Sequence, residues 1–340
     1  MVTHRPPPIA VSTATIKVDH RESRSAANHA VQKVIKVFSS LILKAGEPEP
    51  AGSPQLTVPS AAKKECRIVE YQVEEIFLYR FSKADEPEDS PKSKRHKLFY
   101  FAGGGFRGRP TKEHWLLCAE FCSNMPQYEV NLVSYPLAPN SPAHVSITHI
   151  QRLYHIFEKE GKAQGSRITL AGDSAGGNIA LLLGIFGASK HIQDSGDGEC
   201  VIESIMAICP AVDHRNENPH IDTIDPLDPI LSRKVIEEVS EGWKGEWLLS
   251  DPRLSPILAD LSCFKQAGVK VDGVIALHDV LSPDAVEFVN RLSESEVEGE
   301  WLQWEKQMHC FPLMFSHGIH EAVAGKDWIV NVLRRRSQSP

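Results

Sequence analysis

The sequence predicts an α/β fold, a mostly parallel sheet of eight strands flanked by helices, with a helical cap above the carboxyl ends of the strands. Three observations predict it. From residue 97 onward, short β-branched or apolar runs alternate with longer segments of helical period, the rhythm of strand-helix-strand units. The stretch Leu170-Ala171-Gly172-Asp173-Ser174-Ala175-Gly176-Gly177-Asn178 joins one such strand to one such helix, with small residues at Gly172 and Gly176 where a sharp turn needs them. Residues 213–250 then break the rhythm, being acidic, Pro-rich and finally aromatic at Trp243 and Trp247. An insertion of that kind belongs above the strand ends, where ligands enter α/β sheets.

Taken in order, residues 1–25 carry Pro6-Pro7-Pro8 among polar neighbours and read as a poorly ordered arm. Residues 26–65 read as a cap helix and a linker. Apolar positions Val31, Val34, Ile35, Phe38, Leu41 and Ile42 recur at helical spacing over 30–45, and the Pro- and Gly-rich segment 46–59 follows. Lys33, Lys36 and Lys44 on the polar face allow a peripheral membrane contact, but packing over a site as part of a lid is the plainer reading. The main domain spans 66–340 and opens on a half-buried antiparallel edge, 67–71 and 75–81, followed by a solvated loop at 83–96. Strands are then expected at 97–101, 128–134, 167–170, 201–208, 269–277 and 300–305, and helices at 111–124, 142–161, 282–295 and 317–336, besides the apolar run 179–186 that leaves the Ser174 turn.

Composition narrows the function classes. With 340 residues, 41% apolar and 24% charged, the chain reads as an ordinary globular enzyme rather than a disordered or fibrous protein. A net charge of -7 argues against nucleic acid as a partner, and the one dense basic run, Arg334-Arg335-Arg336, ends a helix whose C-terminus it complements. No apolar run reaches the roughly 18 residues that span a bilayer, and the first residues are not signal-like, so a cytoplasmic location is expected. The seven cysteines lack metal or disulfide-framework spacing. Cys118 and Cys122 sit one helical turn apart without a second pair, so reduced buried thiols and no metal are expected.

The chemistry converges on Ser174. Its turn has the form G-x-S-x-G, which projects the hydroxyl above the sheet edge at the N-terminus of a helix. A serine hydroxyl needs a base to take its proton, and the base needs an acid to fix its tautomer, arranged Ser, then Asp or Glu, then His along such a chain. Asp279 follows the strand 269–277 and His309 sits in the loop after the last strand. Asp284 is the alternative acid, and His278, His317 and His320 are the alternative bases. Oxyanion donors are expected from the backbone of Ala175 and from the run Gly103-Gly104-Gly105. That run does not match G-x-G-x-x-G, nor does the Ser174 turn carry a P-loop lysine, so no nucleotide cofactor is expected.

Together, Ala102-Gly103-Gly104-Gly105-Phe106, Tyr135-Pro136-Leu137-Ala138-Pro139, Gly172-Asp173-Ser174-Ala175-Gly176-Gly177, Asp279 and Met308-His309-Cys310-Phe311-Pro312 resemble the hormone-sensitive-lipase-like α/β-hydrolases. The resemblance runs from Leu98 to the C-terminal helix and is most like the fungal esterases that trim acyl groups from secondary metabolites. It implies the α/β-hydrolase fold and hydrolysis of a small-molecule carboxylester through an acyl-enzyme. Ser174 would be the nucleophile, His309 the base and Asp279 the orienting acid, with the N–H groups of Gly104, Gly105 and Ala175 as the oxyanion hole. It also implies a cap built from the N-terminal helix and the insertion. Two departures stand out: Ala102 replaces the family's usual His before the glycines, and Tyr135-Pro136-Leu137-Ala138-Pro139-Asn140 lacks the family's arginine and carboxylate. A lyase, cyclase or acyltransferase using the same site, or a ligand-binding protein without hydrolysis, are the alternative functions. Acyl chain, alcohol and oligomeric state stay open, with a homodimer among the possibilities.

Overall fold

Side chains that alternate between two buried layers explain why this chain forms one sheet between two cores. The computed structural model describes residues 10–42, 46–84, 96–194 and 199–338. Its sheet has nine strands in the order β1-β9-β8-β7-β6-β4-β5-β3-β2. These are β1 (Ile16–Arg21), β2 (Arg67–Val73), β3 (Ile76–Ser82), β4 (His96–Phe101), β5 (Tyr128–Ser134), β6 (Arg167–Asp173), β7 (Ile202–Ile208), β8 (Lys270–Ala276) and β9 (Gly299–Trp304). The pairs β2/β3 and β3/β5 are antiparallel, as expected for an edge, and the rest of the sheet is parallel.

Successive side chains enter opposite layers. Phe99 and Phe101 join the core shared with α4 (Ala143–Gln164), α5 (Ala175–Gln193), α8 (Ser262–Ala267) and α9 (Ser282–Glu294). Leu98 and Tyr100 join the core shared with α2 (Ser60–Glu65), α3 (Lys112–Asn124) and α10 (His320–Arg336). Both faces of the central strands are therefore covered, and their carboxyl ends are left for the site.

The expectations for the N-terminal region need three corrections. The ninth strand, β1, lies within the arm expected to be poorly ordered; it pairs in parallel with β9 from Ile16↔Gly299 to Arg21↔Trp304, and that remote edge supplies the backbone partners. Residues 1–9 of the arm and 85–95 of the expected solvated loop lie outside the described residues. Secondly, α1 (Ala26–Ile42) leaves much of its apolar stripe outward, with Val34 57%, Phe38 50% and Leu41 68% exposed and only Val31 and Ile35 half-buried, while Asn28 and Gln32 are buried. The reason is the polar loop beneath it: Asn28 Nδ2 donates to Gln307 Oε1 at 2.7 Å and Gln32 Nε2 donates to the Lys306 carbonyl at 3.0 Å. Thirdly, the linker is docked and contains α2: Ser53 Oγ donates to the Ser134 carbonyl at 2.5 Å, and the Leu56 N–H reaches the Tyr79 hydroxyl at 2.6 Å.

The insertion holds α6 (Ile221–Ile224) and α7 (Arg233–Lys244). It is fixed over the glycine run by the Trp243 ring, which stacks on Phe106 with centroids 4.2 Å apart and planes 7° from parallel. The basic run at the end of α10 bonds to acceptors across the chain rather than merely complementing a dipole. Arg336 pairs with the buried Asp272 at 2.6 Å, Arg335 with Glu300 at 2.8 Å, and Arg334 donates to the Asn124 carbonyl at 2.7 Å. Among the described residues, no helix is long and apolar enough to cross a membrane.

Candidate active site

Ser174 stands between β6 and α5 with φ 53° and ψ −120°, a backbone conformation that a side-chain-bearing residue adopts only under constraint. The constraint is local hydrogen bonding and close packing. The Ser174 N–H donates to the Ile208 carbonyl at 2.8 Å, and its own carbonyl accepts from Asn178 at 3.1 Å and Ala211 at 3.3 Å. A Cβ at Gly176 would fall 1.9 Å from the Phe101 carbonyl oxygen, so only glycine lets α5 approach β4 this closely.

Asp279 and His309 meet. His309 Nδ1 lies 2.6 Å from Asp279 Oδ2, with the histidine side chain 9% and the aspartate 1% exposed. Two loops bring them together, and the loops are laced by the Leu277 N–H to the Trp304 carbonyl and the His278 N–H to the Gln307 carbonyl, each at 3.0 Å. The second carboxylate oxygen of Asp279 accepts from the Leu281 N–H at 2.9 Å. Burial by itself would push the His309 pKa down; the Asp279 carboxylate outweighs it and holds the imidazole up at about 9. The same Ile208 carbonyl that accepts the Ser174 N–H contacts Cys310 Sγ at 4.0 Å, which places residue 174 and the 309–310 loop around the end of β7.

The alternative acid and bases have other surroundings. Asp284 lies in the first turn of α9, where burial and then the charge of Asp213 raise its pKa to about 7. His317 pairs with Glu113 at 3.8 Å, and His278 is pushed down to about 4 by burial and neighbouring cations. His320 starts α10.

The glycine run is held from below. Asp173 Oδ1 accepts from the Tyr100 hydroxyl at 2.7 Å and from the Gly103 N–H at 2.9 Å, while Oδ2 lies 3.2 Å from His114 Nε2. The Thr111 N–H donates to His114 Nδ1 at 2.9 Å, so the ring proton sits on Nε2 and points at Asp173. Burial alone would raise the Asp173 pKa; His114, Tyr100 and Gly103 hold it below its usual value. A Cβ on Gly103 would come within 2.3 Å of Asp173 Oδ2, so this position admits glycine only. The carbonyl of Ala102 accepts from the Tyr135 hydroxyl at 2.8 Å. With Gly103 committed to Asp173, the N–H groups of Gly104, Gly105 and Ala175 meet no protein acceptor among the described residues.

Sequence reasoning passed over three contributors. His114 and Tyr100 fall within the expected helix 111–124 and strand 97–101 and drew no functional reading. Asp228, buried in the insertion, accepts from Val280 at 2.9 Å beside Asp279. Burial and then the Asp279 charge raise its pKa to about 7, and the sole signal for it in the sequence was an Asp within the acidic insertion.

The chain matches the alpha/beta hydrolase fold family over residues 98–313. It is similar to human hormone-sensitive lipase, with 26% identity over 162 residues that make up 47% of this chain and 14% of the lipase. The esterase LipU of Mycobacterium tuberculosis is 25% identical over 231 residues, 65% of this chain and 72% of that protein. An esterase of Acinetobacter venetianus is 25% identical over 223 residues, 63% and 69% of the two chains. Among solved structures, an esterase/lipase from an uncultured bacterium superposes with a TM-score of 0.70 at 16% identity, covering 93% of this chain and 100% of that one. A hormone-sensitive lipase from a metagenome library gives 0.70 at 18% identity over 91% and 97%. The structural likeness speaks for the fold, and the family match extends over most of the sheet, from β4 to the loop after β9. The chain belongs to the alpha/beta hydrolase fold family.

Proposed function

We propose that this protein hydrolyses carboxylic esters of small molecules through an acyl-enzyme on Ser174. The observation that carries the proposal is the 2.6 Å contact between Asp279 and His309 Nδ1, which leaves Nε2 as the nitrogen able to take a proton. The Ser174 oxygen attacks the ester carbonyl carbon as its proton passes to His309 Nε2. The oxyanion accepts hydrogen bonds from the N–H groups of Gly104, Gly105 and Ala175, which have no protein acceptor among the described residues. Collapse expels the alcohol, which leaves with the proton from His309. A water molecule repeats the sequence and frees the acid.

The insertion and α1 form the cap in this reading, supported by the Phe106–Trp243 stack and by the Lys36 ammonium bonding to the Pro226 carbonyl. An acyl group carried by a secondary metabolite is the narrower substrate, supported by the motif resemblance. Wild type is expected to turn over short-chain p-nitrophenyl esters, and Ser174→Ala is expected to lose that turnover by roughly 10⁵-fold or more while keeping its circular dichroism spectrum. A Ser174→Ala protein that turned over as fast as wild type would end the proposal.

A further inference from the structure

Three soft or borderline donors gather at the base of the site, and ester hydrolysis uses only one of them. Cys209 follows β7 and Cys310 follows His309; both are buried and both take left-handed backbone conformations, with φ of 46° and 50°. One ligand atom each from Cys209, His309 and Cys310 lies within 4.8 Å of the other two. Cys310 Sγ is 3.4 Å from His309 Nε2.

The spacing suits a tetrahedral ion. Metal–sulfur bonds of about 2.3 Å and metal–nitrogen bonds of about 2.0 Å put sulfur and nitrogen about 3.5 Å apart around zinc. The Cys310–His309 pair already has nearly that separation. On the other side of the ring, Asp279 at 2.6 Å from Nδ1 supplies the carboxylate that orients a metal-bound imidazole and strengthens it as a donor. Thiolate and imidazole together select a d¹⁰ ion such as zinc or cadmium over magnesium or calcium.

We infer that Cys209, Cys310 and His309 bind one thiophilic divalent cation, which switches the hydrolase off by occupying the Nε2 lone pair needed by Ser174. This rests on the proposed function for its consequence but not for its binding step. Binding forms two metal–sulfur bonds and one metal–nitrogen bond, and releases two thiol protons to solvent. A water molecule completes the fourth position. No oxidant is involved, and a chelator reverses the step.

The test is a titration of the reduced full chain with cadmium chloride. One equivalent should saturate a sulfur-to-cadmium charge-transfer absorption. Over the same range, labelling of Ser174 by a fluorophosphonate should fall by roughly tenfold or more, and EDTA should restore it. Cys209→Ala and Cys310→Ala should each weaken the absorption titration by roughly tenfold or more, and should uncouple labelling from added cadmium. Should either variant fail to fold, the wild-type titration still decides.

Absence of the charge-transfer band, or an undiminished band in a folded Cys209→Ala protein, overturns the site. A band without loss of labelling overturns the switch. Failure of the function proposal looks different: Ser174 would resist the probe before any metal is added, while the cadmium band would still appear.

Discussion

On the proposed mechanism, Asp279→Asn is expected to lower kcat for ester hydrolysis by about 10⁴-fold at neutral pH while leaving the fold intact, as loss of the orienting acid does in Ser-His-Asp enzymes. The amide can present its N–H to His309 Nδ1 and so force the proton onto Nε2, where it blocks the serine. It also removes the carboxylate that stabilises the imidazolium once formed. The pH profile reports the same contact from another side. His309 must be neutral to accept a proton, so the acidic limb of kcat/KM in wild type lies above the ordinary histidine value of 6.5, towards about 9, and activity rises with pH through it. In Asp279→Asn the burial that lowers this pKa persists without the charge that raises it, and the limb moves to lower pH.

The linkage sign is opposite for stability. A raised folded-state pKa contributes stability that is fully present below about 6.5 and is lost as pH rises through about 9. The Asp279 contact therefore contributes least to stability where it leaves the base most active. A limb at or below 6.5 in wild type would contradict this account of the pair.

The second large effect is expected at Asp173→Asn. Three donors converge on this carboxylate: the Tyr100 hydroxyl, the Gly103 N–H and His114 Nε2. An amide offers one acceptor oxygen and two further donors, so at least one buried donor loses its partner at a cost of about 1–3 kcal/mol. The released segment is the one that presents Gly104 and Gly105. Loss of one oxyanion donor costs about 10²–10³ in kcat, and that is the expected fall, with KM changed far less. A variant that lost stability but kept kcat would make the Asp173 cluster a purely structural feature.

This cluster also accounts for the departure at Ala102. The family's histidine in that place is replaced by a side chain too small to hold anything, yet the peptide that follows it is secured at both its carbonyl and its N–H. Tyr135 holds the Ala102 carbonyl, and Asp173 holds the next N–H. An imidazole is still present, but it arrives from α3 as His114, across 59 residues of sequence from Asp173.

That substitution illustrates what the sequence could reveal. Wherever a residue's position follows from its own neighbours, sequence and structure agree. The Ser174 turn needs Gly172 and Gly176 within two positions, and β5 lies where its apolar pattern put it, at Tyr128–Ser134. The meeting of Asp279 and His309 was legible because strand ends in such a sheet face one direction, so chain order translates into position.

Roles assigned by distant partners stayed hidden. β1 is a polar, weakly alternating segment until β9 pairs with it from the other end of the chain. The stripe on α1 signalled a helix correctly but misjudged its docking, because Asn28 and Gln32 find polar partners in the 306–307 loop that periodicity does not anticipate. The meeting of Cys209 with Cys310 depends on two loops coming together at the end of β7, and no spacing rule along the chain encodes it.

Intact-protein and peptide mass spectrometry after reaction with a fluorophosphonate ester tests Ser174 as the nucleophile. One phosphonyl adduct per chain is expected, located on Ser174, formed rapidly by wild type and at least about 10³-fold more slowly by His309→Ala, which lacks the base. An unmodified wild-type chain, or an adduct on any residue other than Ser174, would contradict it.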